Sequence, residues 1–301
     1  MLLSPDEVQQ RGLALMRVCQ GRKTQQRQLL EFHKHFGSSP LDIAEMWFDL
    51  CNHKDNLLSK KEKSEKGFVR FLSAHYWLWC RPKNAKIFAS WFGICADYCQ
   101  GEPLWKWIRR IEALGNDKIK WDQSLDAADT EIFAITTDGV DFKTWERQDP
   151  ELPFDSKNMS HKFKGCAAKY IIALSTYRSK CVMIAGPYRG GKPDLEIFKE
   201  CGLMQKMQDS GKVVIADRGF RSRLVSEQKH FATPDYMDSK ELHNFKSRAR
   251  LRQETFNRRL THFDALSDIW RNGFEKHGSA VRAVSTIVQY QMDNGSPLYA
   301  V

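Results

Sequence analysis

The chain has 301 residues, 42% of them hydrophobic and 28% charged, which excludes a largely disordered polymer and leaves room for one large or two modest cores. A formal charge of +10 and an isoelectric point near 9.2 point to a polyanionic partner, nucleic acid first, because Lys and Arg displace counterions from phosphates; a merely soluble basic protein is the plain alternative. No apolar run is long enough to span a membrane, no signal-peptide core is present, and the eight cysteines form no CxxC pair or zinc-spaced set. The expectation is a folded intracellular protein with reduced thiols and no membrane partner.

Residues 1–124 read as a helical region. Ser4 is an N-cap with Pro5 at the first helical position, opening a polar helix rich in Gln and Arg. Residues 41–51 are apolar and aromatic at helical spacing, with Ser38-Ser39-Pro40 as their start. The Lys/Glu stretch 59–66 reads as a solvated turn or helix face. Further helices are predicted over 68–80, 84–98 and 103–114. In the last of these Leu104, Ile108, Ile111 and Leu114 share one face, while Lys106, Arg109 and Arg110 lie off it. Two helices with a short Gly-containing connection suit a helix-turn-helix with Arg109 and Arg110 as DNA contacts; an ordinary bundle explains the same pattern.

Residues 125–301 change texture. Residues 131–137 are strand-like and stop at Asp138-Gly139, a turn signal. Residues 170–175 and 181–185 read as strands joined by a hairpin-length connection, 186–194 as a loop, and 195–200 as a short helix. Residues 213–216 form a buried strand from which Asp217-Arg218-Gly219-Phe220 departs. After an aperiodic stretch come a long basic helix over 241–270, broken once, and an apolar helix over 280–291. The expected class is α+β (mixed α/β).

Three acids occupy suggestive places. Asp138 ends the first strand of the second region, Asp217 ends a later apolar strand, and Glu254 lies in a helix crowded with Arg248, Arg250, Arg252, Arg258 and Arg259. Singly they read as two turn residues and a salt-bridge partner. Together, two carboxylates at adjacent strand ends and a third from a facing helix can surround a hard divalent cation, Mg²⁺ or Mn²⁺, beside a phosphate. Arg218, Arg221, Arg250 and Arg252 are then the expected phosphate contacts. Asp141 is a rival to Asp138, which the strand-end position favours.

At this point the motifs resemble a known family. Thr137-Asp138-Gly139-Val140-Asp141-Phe142 looks like the first-aspartate segment of Harbinger-type transposases and DDE superfamily endonucleases. The strand from Lys169 to Ser175, the Gly-rich loop and helix from Gly186 to Phe198, and Ile215-Ala216-Asp217-Arg218-Gly219-Phe220 are similar to segments that follow in that family. The helix from Arg248 to Leu260 resembles the one carrying its glutamate, 37 positions beyond Asp217. Where many members have His-Asp, this chain has Pro193-Asp194, a position that is not a metal ligand in the family. The resemblance covers 125–301 well and 66–121 more loosely. It implies a ribonuclease H-like catalytic domain behind a helical amino-terminal domain, with Asp138, Asp217 and Glu254 as catalytic metal ligands. It also implies divalent-metal cleavage and strand transfer of DNA in the nucleus, with the cytoplasm as a second location, a separate DNA-binding partner protein, and a homodimer as a further option. Two rivals stand beside it: a domesticated, inactive relative acting as a DNA- or protein-binding module, and a carboxylate–metal phosphohydrolase of small substrates.

Overall fold

The computed structural model describes residues 2–18, 24–99, 101–121, 125, 132–145 and 155–301. The chain divides into two compact units. One comprises Met1–Lys118, Leu260–Asp268 and Ser279–Ser296; the other comprises Ile119–Arg259, Ile269–Gly278 and Pro297–Val301.

The first unit opens with helices α1 (Pro5–Leu15), α2 (Gln25–Phe36), α3 (Pro40–Asn52), α4 (Glu65–Cys80), α5 (Ala85–Phe92) and α6 (Glu102–Lys118). Their starts are written locally. Ser4 and Ser39 each close a capping box, with Glu7 and Asp42, and Pro5 and Pro40 follow at the first helical position. The helix expected over 84–98 is cut short because Gly93 takes a left-handed conformation (φ 60°) and caps it. Residues 93–101 then separate α5 from α6, wider than the three or four residues of a helix-turn-helix turn. The predicted face of α6 is fully inward: Leu104, Ile108, Ile111 and Leu114 are at most 2% exposed. Trp47 centres the aromatic core, with ring centroids 5.4 Å from Phe68, 5.7 Å from Phe71 and 6.4 Å from Trp107. The later segments join this core. Phe263 meets the edge of Trp79, and the Tyr290 hydroxyl donates to Asp49.

The second unit is built on a mixed sheet. Its elements in chain order are β1 (Phe133–Lys143), β2 (Met159–Ser160), β3 (Gly165–Ser175), β4 (Cys181–Arg189), α7 (Asp194–Glu200), α8 (Leu203–Ser210), β5 (Val213–Ile215), α9 (Val225–Gln228), β6 (Phe231–Ala232) and α10 (Lys240–Thr261). Short α11 (Asp264–Ser267) and long α12 (Phe274–Asp293) follow, so the long basic pattern over 241–270 is indeed broken once. Strand β1 lies between β3 and β5. It runs antiparallel to β3, which pairs antiparallel with β4, and parallel to β5, which pairs parallel with β6.

Two expectations are corrected here. Asp138-Gly139 is not a turn: β1 runs straight through it, with Asp138 opposite Ile172 and Gly139 opposite Ile171. The ladder with β3 supplies backbone partners that local turn propensity could not anticipate. Likewise β4 continues to Arg189, into the stretch expected as loop.

Helices cover both faces of the sheet. On one, Ile135, Ile171, Ala173 and Val182 pack with Ile197 and Phe198 of α7, Leu203 and Met207 of α8, and Phe220 and Phe231. On the other, Thr136 meets Gln253 of α10. Because side chains alternate along a strand, Asp138 shares the Thr136 face. The fold is a mixed α/β one. Among the described residues no helix is long and apolar enough to cross a membrane, and the described cysteines are free thiols, buried at 51, 99 and 181 and exposed at 95.

Candidate functional site

The parallel pairing of β1 with β5 positions the first two acids. Thr136 is the register partner of Ile215, where β5 ends, so β1 passes that end just as Asp138 begins. Asp217, two residues past β5, accepts a hydrogen bond from the Gly219 amide at 2.8 Å, which holds its carboxylate in a tight turn. Asp138 and Asp217, distant in the chain, thereby come within electrostatic reach of each other.

A third carboxylate, Asp194 at the start of α7, joins them. It sits over Gly139, where a side-chain Cβ would come within 2.6–2.7 Å of its carboxylate. A Cβ on Gly219 would lie 3.0 Å from Asp217 Oδ1 and 3.6 Å from Asp194 Oδ2. The glycines that follow the two aspartates therefore leave room for acidic side chains, a reason for them distinct from turn formation. Lys169 Nζ stands 3.0 Å from Asp194 Oδ1 and 3.9 Å from Asp141 Oδ1. Asp141 is further held by the Ser160 hydroxyl, which donates to Oδ2. Of the two rival aspartates on β1, Asp141 is thus anchored by neighbours of its own.

These neighbours shape the acidity. Burial, then repulsion from Asp217 and Asp194, pushes the Asp138 carboxyl up to about 6, against the pull of the Gly139 amide and the Lys162 charge. Burial also raises Asp141, opposed by Ser160 and Lys169.

Helix α10 brings Asn257, not Glu254, into contact with Asp138: the Asn257 amide donates to Oδ2 at 2.9 Å. Glu254 is exposed, and its charge is felt at Tyr299. At ~100° per residue, Asn257 lies ~40° around the helix from Gln253 and ~60° from Glu254, so Glu254 flanks this face on its solvent side.

The predicted basic contacts separate into two groups. Arg218 and Arg221 are exposed and Arg250 partly so. Arg252 is corrected: it is 2% exposed, and its guanidinium donates to the carbonyl oxygens of Thr176 and Arg178 in the β3–β4 hairpin. It pins the fold and offers nothing to a phosphate. Arg110 is corrected too. It is 8% exposed, stacks 4.4 Å from the Trp107 ring centroid and donates to Glu62 at 2.8 Å. That bond, with those from Ser59 and Lys106, outweighs burial and holds the Glu62 carboxyl down at about 2, so the stretch 59–66 is more than a solvated face. Arg109 is ion-paired with Glu102.

Residues 138–289, half of the chain, match the family described as DDE superfamily endonuclease. The chain belongs to that family. No curated protein and no solved structure shows significant similarity to it. The matched span opens on Asp138 and contains Asp217 and Glu254.

DDE endonucleases generally use divalent metal ions, and the carboxylates gathered here are of the chemistry such an ion takes. The donors are hard carboxylate oxygens, and Asp138 is raised first by burial and then by two carboxylates that repel it, a repulsion a cation would relieve. Among the described residues no three His, Cys, Asp or Glu side chains stand together as a preformed cage. Sequence reasoning missed Asp194 and Asn257. The first occupies a position that is not a metal ligand in the family, and the second is masked by the arginines around it. Its one signal was the four-residue spacing from Gln253, which puts both on one helix face.

Proposed function

We propose that this DDE endonuclease is a metal-dependent DNA nuclease or transposase of the Harbinger type, with a ribonuclease H-like catalytic unit. The observation that carries the reading is the approach of Asp138 and Asp217 at the β1–β5 junction. The sheet supports it as well: three long antiparallel strands continue into two short strands parallel to the first.

In this reading Asp138 and Asp217 hold Mg²⁺ or Mn²⁺, and Glu254 completes the set from the solvent side of α10. Bound divalent ions supply activation of a water or 3′ hydroxyl and neutralisation of the leaving oxygen. Lys169 steadies Asp194 beside the two aspartates, and Gly139 keeps that space open. Arg218, Arg221 and Arg250 take DNA phosphates and align the strand. Arg109 and Arg110 are already paired with glutamates, so target recognition falls to a separate DNA-binding partner, and the work is nuclear. Self-association of the chain is compatible with this assignment.

Nicking of supercoiled plasmid by the full-length protein tests the reading. Cleavage is expected with Mn²⁺ or Mg²⁺, with none in chelator and none from a folded Asp217→Ala variant. The exposed Glu254 favours one alternative, a DNA- or protein-binding module without catalysis. Folded wild-type protein that binds DNA but neither binds Mn²⁺ nor cuts would establish that alternative instead.

A further inference from the structure

The bond from Asn257 to Asp138 is the end of a longer relay. The Gln253 amide donates to Ile172 O at 3.3 Å and to Asn257 Oδ1 at 3.3 Å, while the Thr136 hydroxyl donates to Gln253 Oε1 at 2.9 Å. Thr136 and Gln253 are 2% and 3% exposed, so the inner end of the relay is shielded from competing water, while Asn257 is partly exposed.

Its polarity is forced from one end. A backbone carbonyl can only accept, so Ile172 O requires the Nε2 end of Gln253 to face it. The Oε1 end must then take the Thr136 hydroxyl. Asn257 must turn its Oδ1 toward Gln253 Nε2, which leaves its Nδ2 donors facing Asp138. Ile172 is also the cross-strand partner of Asp138. The relay starts on the backbone beside that aspartate and closes on its carboxylate, tying β1, β3 and α10 together.

We propose that Asn257, oriented by Gln253 and Thr136, is a positioning residue that fixes the Asp138 carboxylate for binding a divalent cation. Its bond holds the carboxylate through Oδ2 and, with the Gly139 amide, limits the orientations it can take. It also restrains a side chain that Asp217 and Asp194 repel. This rests on the metal-site reading above. A directed, neutral donor suits the task because a Lys or Arg in its place would add a charge competing with the cation, whereas an amide orients the ligand without doing so.

Mn²⁺ binding to the full-length protein, followed by electron paramagnetic resonance of the free ion, tests the proposal without relying on turnover. Asn257→Ala is expected to weaken Mn²⁺ about tenfold or more. Asn257→Leu, which keeps the branched outline and removes the donor, should do the same. Gln253→Met, which frees the Asn257 amide to flip, should cause a smaller loss in the same direction. Near-ultraviolet circular dichroism identifies the variants that remain folded, and the two Asn257 replacements together with Gln253→Met give three independent chances of one. If folded Asn257 and Gln253 variants bind Mn²⁺ like wild type while Asp138→Ala and Asp217→Ala lose it, the positioning role is overturned and the metal site stands. If the aspartate variants also bind normally, the metal site itself is overturned, and the positioning role with it.

Discussion

Ionising Asp138 places a charge where burial, Asp217 and Asp194 all oppose it, and the consequence for stability has a definite sign. A carboxyl raised in the folded state to about 6 stabilises the fold in its protonated form. That contribution is complete below the ordinary carboxylate range, near pH 4, and is lost as pH rises through about 6. Asp138→Asn, neutral at all pH, is therefore expected to be more stable than wild type at pH 7 by about 3 kcal/mol. The difference should shrink toward zero near pH 4. Urea unfolding of both proteins across this range is the measurement; a gap that does not change with pH would contradict the assigned cause. Glu62 behaves in the opposite sense. Held at about 2 by Arg110, Ser59 and Lys106, it contributes stability above the ordinary carboxylate range that is lost progressively as pH falls from about 4.5 toward 2, and because it does so equally in both proteins it cancels from the difference. The sequence made Asp138 and Asp217 legible because both carry local marks, an acid beside an apolar strand with glycine after it. Asp194 and Asn257 carry no such mark. Their place at the site follows from cross-strand register and helix facing, which connect residues far apart in the chain.

Helix α10 shows why a helix's inner face can be hard to read from charge. Its buried side includes Ala249, Arg252, Gln253 and Phe256, at proper helical spacing, but two of the four are polar. Composition alone marks a basic exposed helix, and Arg252 reads as one more phosphate contact. Its burial instead requires hydrogen-bond acceptors for the guanidinium, which the hairpin carbonyls of Thr176 and Arg178 provide. Arg252→Ala is expected to destabilise the protein by about 2–4 kcal/mol, because it leaves buried acceptors unmatched. Arg252→Lys should recover part of this, since an ammonium cannot bridge both carbonyls in the same fork geometry. Denaturant midpoints at constant slope measure both; an Arg252→Ala protein as stable as wild type would return this residue to the surface role expected from sequence. Strand β1 teaches the same lesson for sheets. Asp-Gly signals a turn locally, yet pairing with β3 carries the strand through it.

For the whole molecule, the +10 charge says that polyanions are attracted but not where they sit. Burial engages Arg110 with Glu62 and Arg252 with the hairpin carbonyls, so those two charges cannot release counterions from DNA without dismantling structure, and Arg109 is shared with Glu102 in an exposed pair. Arg218 and Arg221 are exposed beside Asp217, and Arg250 is partly exposed on α10, one turn before Glu254. If these three meet phosphates, replacing all of them with alanine should flatten the dependence of log affinity on log salt by roughly 2–3 units, near 0.9 for each contact with duplex DNA. The loss should be similar on unrelated sequences, because phosphate contacts carry no base information. Arg252→Ala, measured where it remains folded, should leave the slope unchanged and so separates a structural arginine from a binding one. A triple variant with the wild-type slope would move the DNA path away from the Asp138–Asp217 site. The acids could then no longer be read as acting on a phosphate held by these arginines.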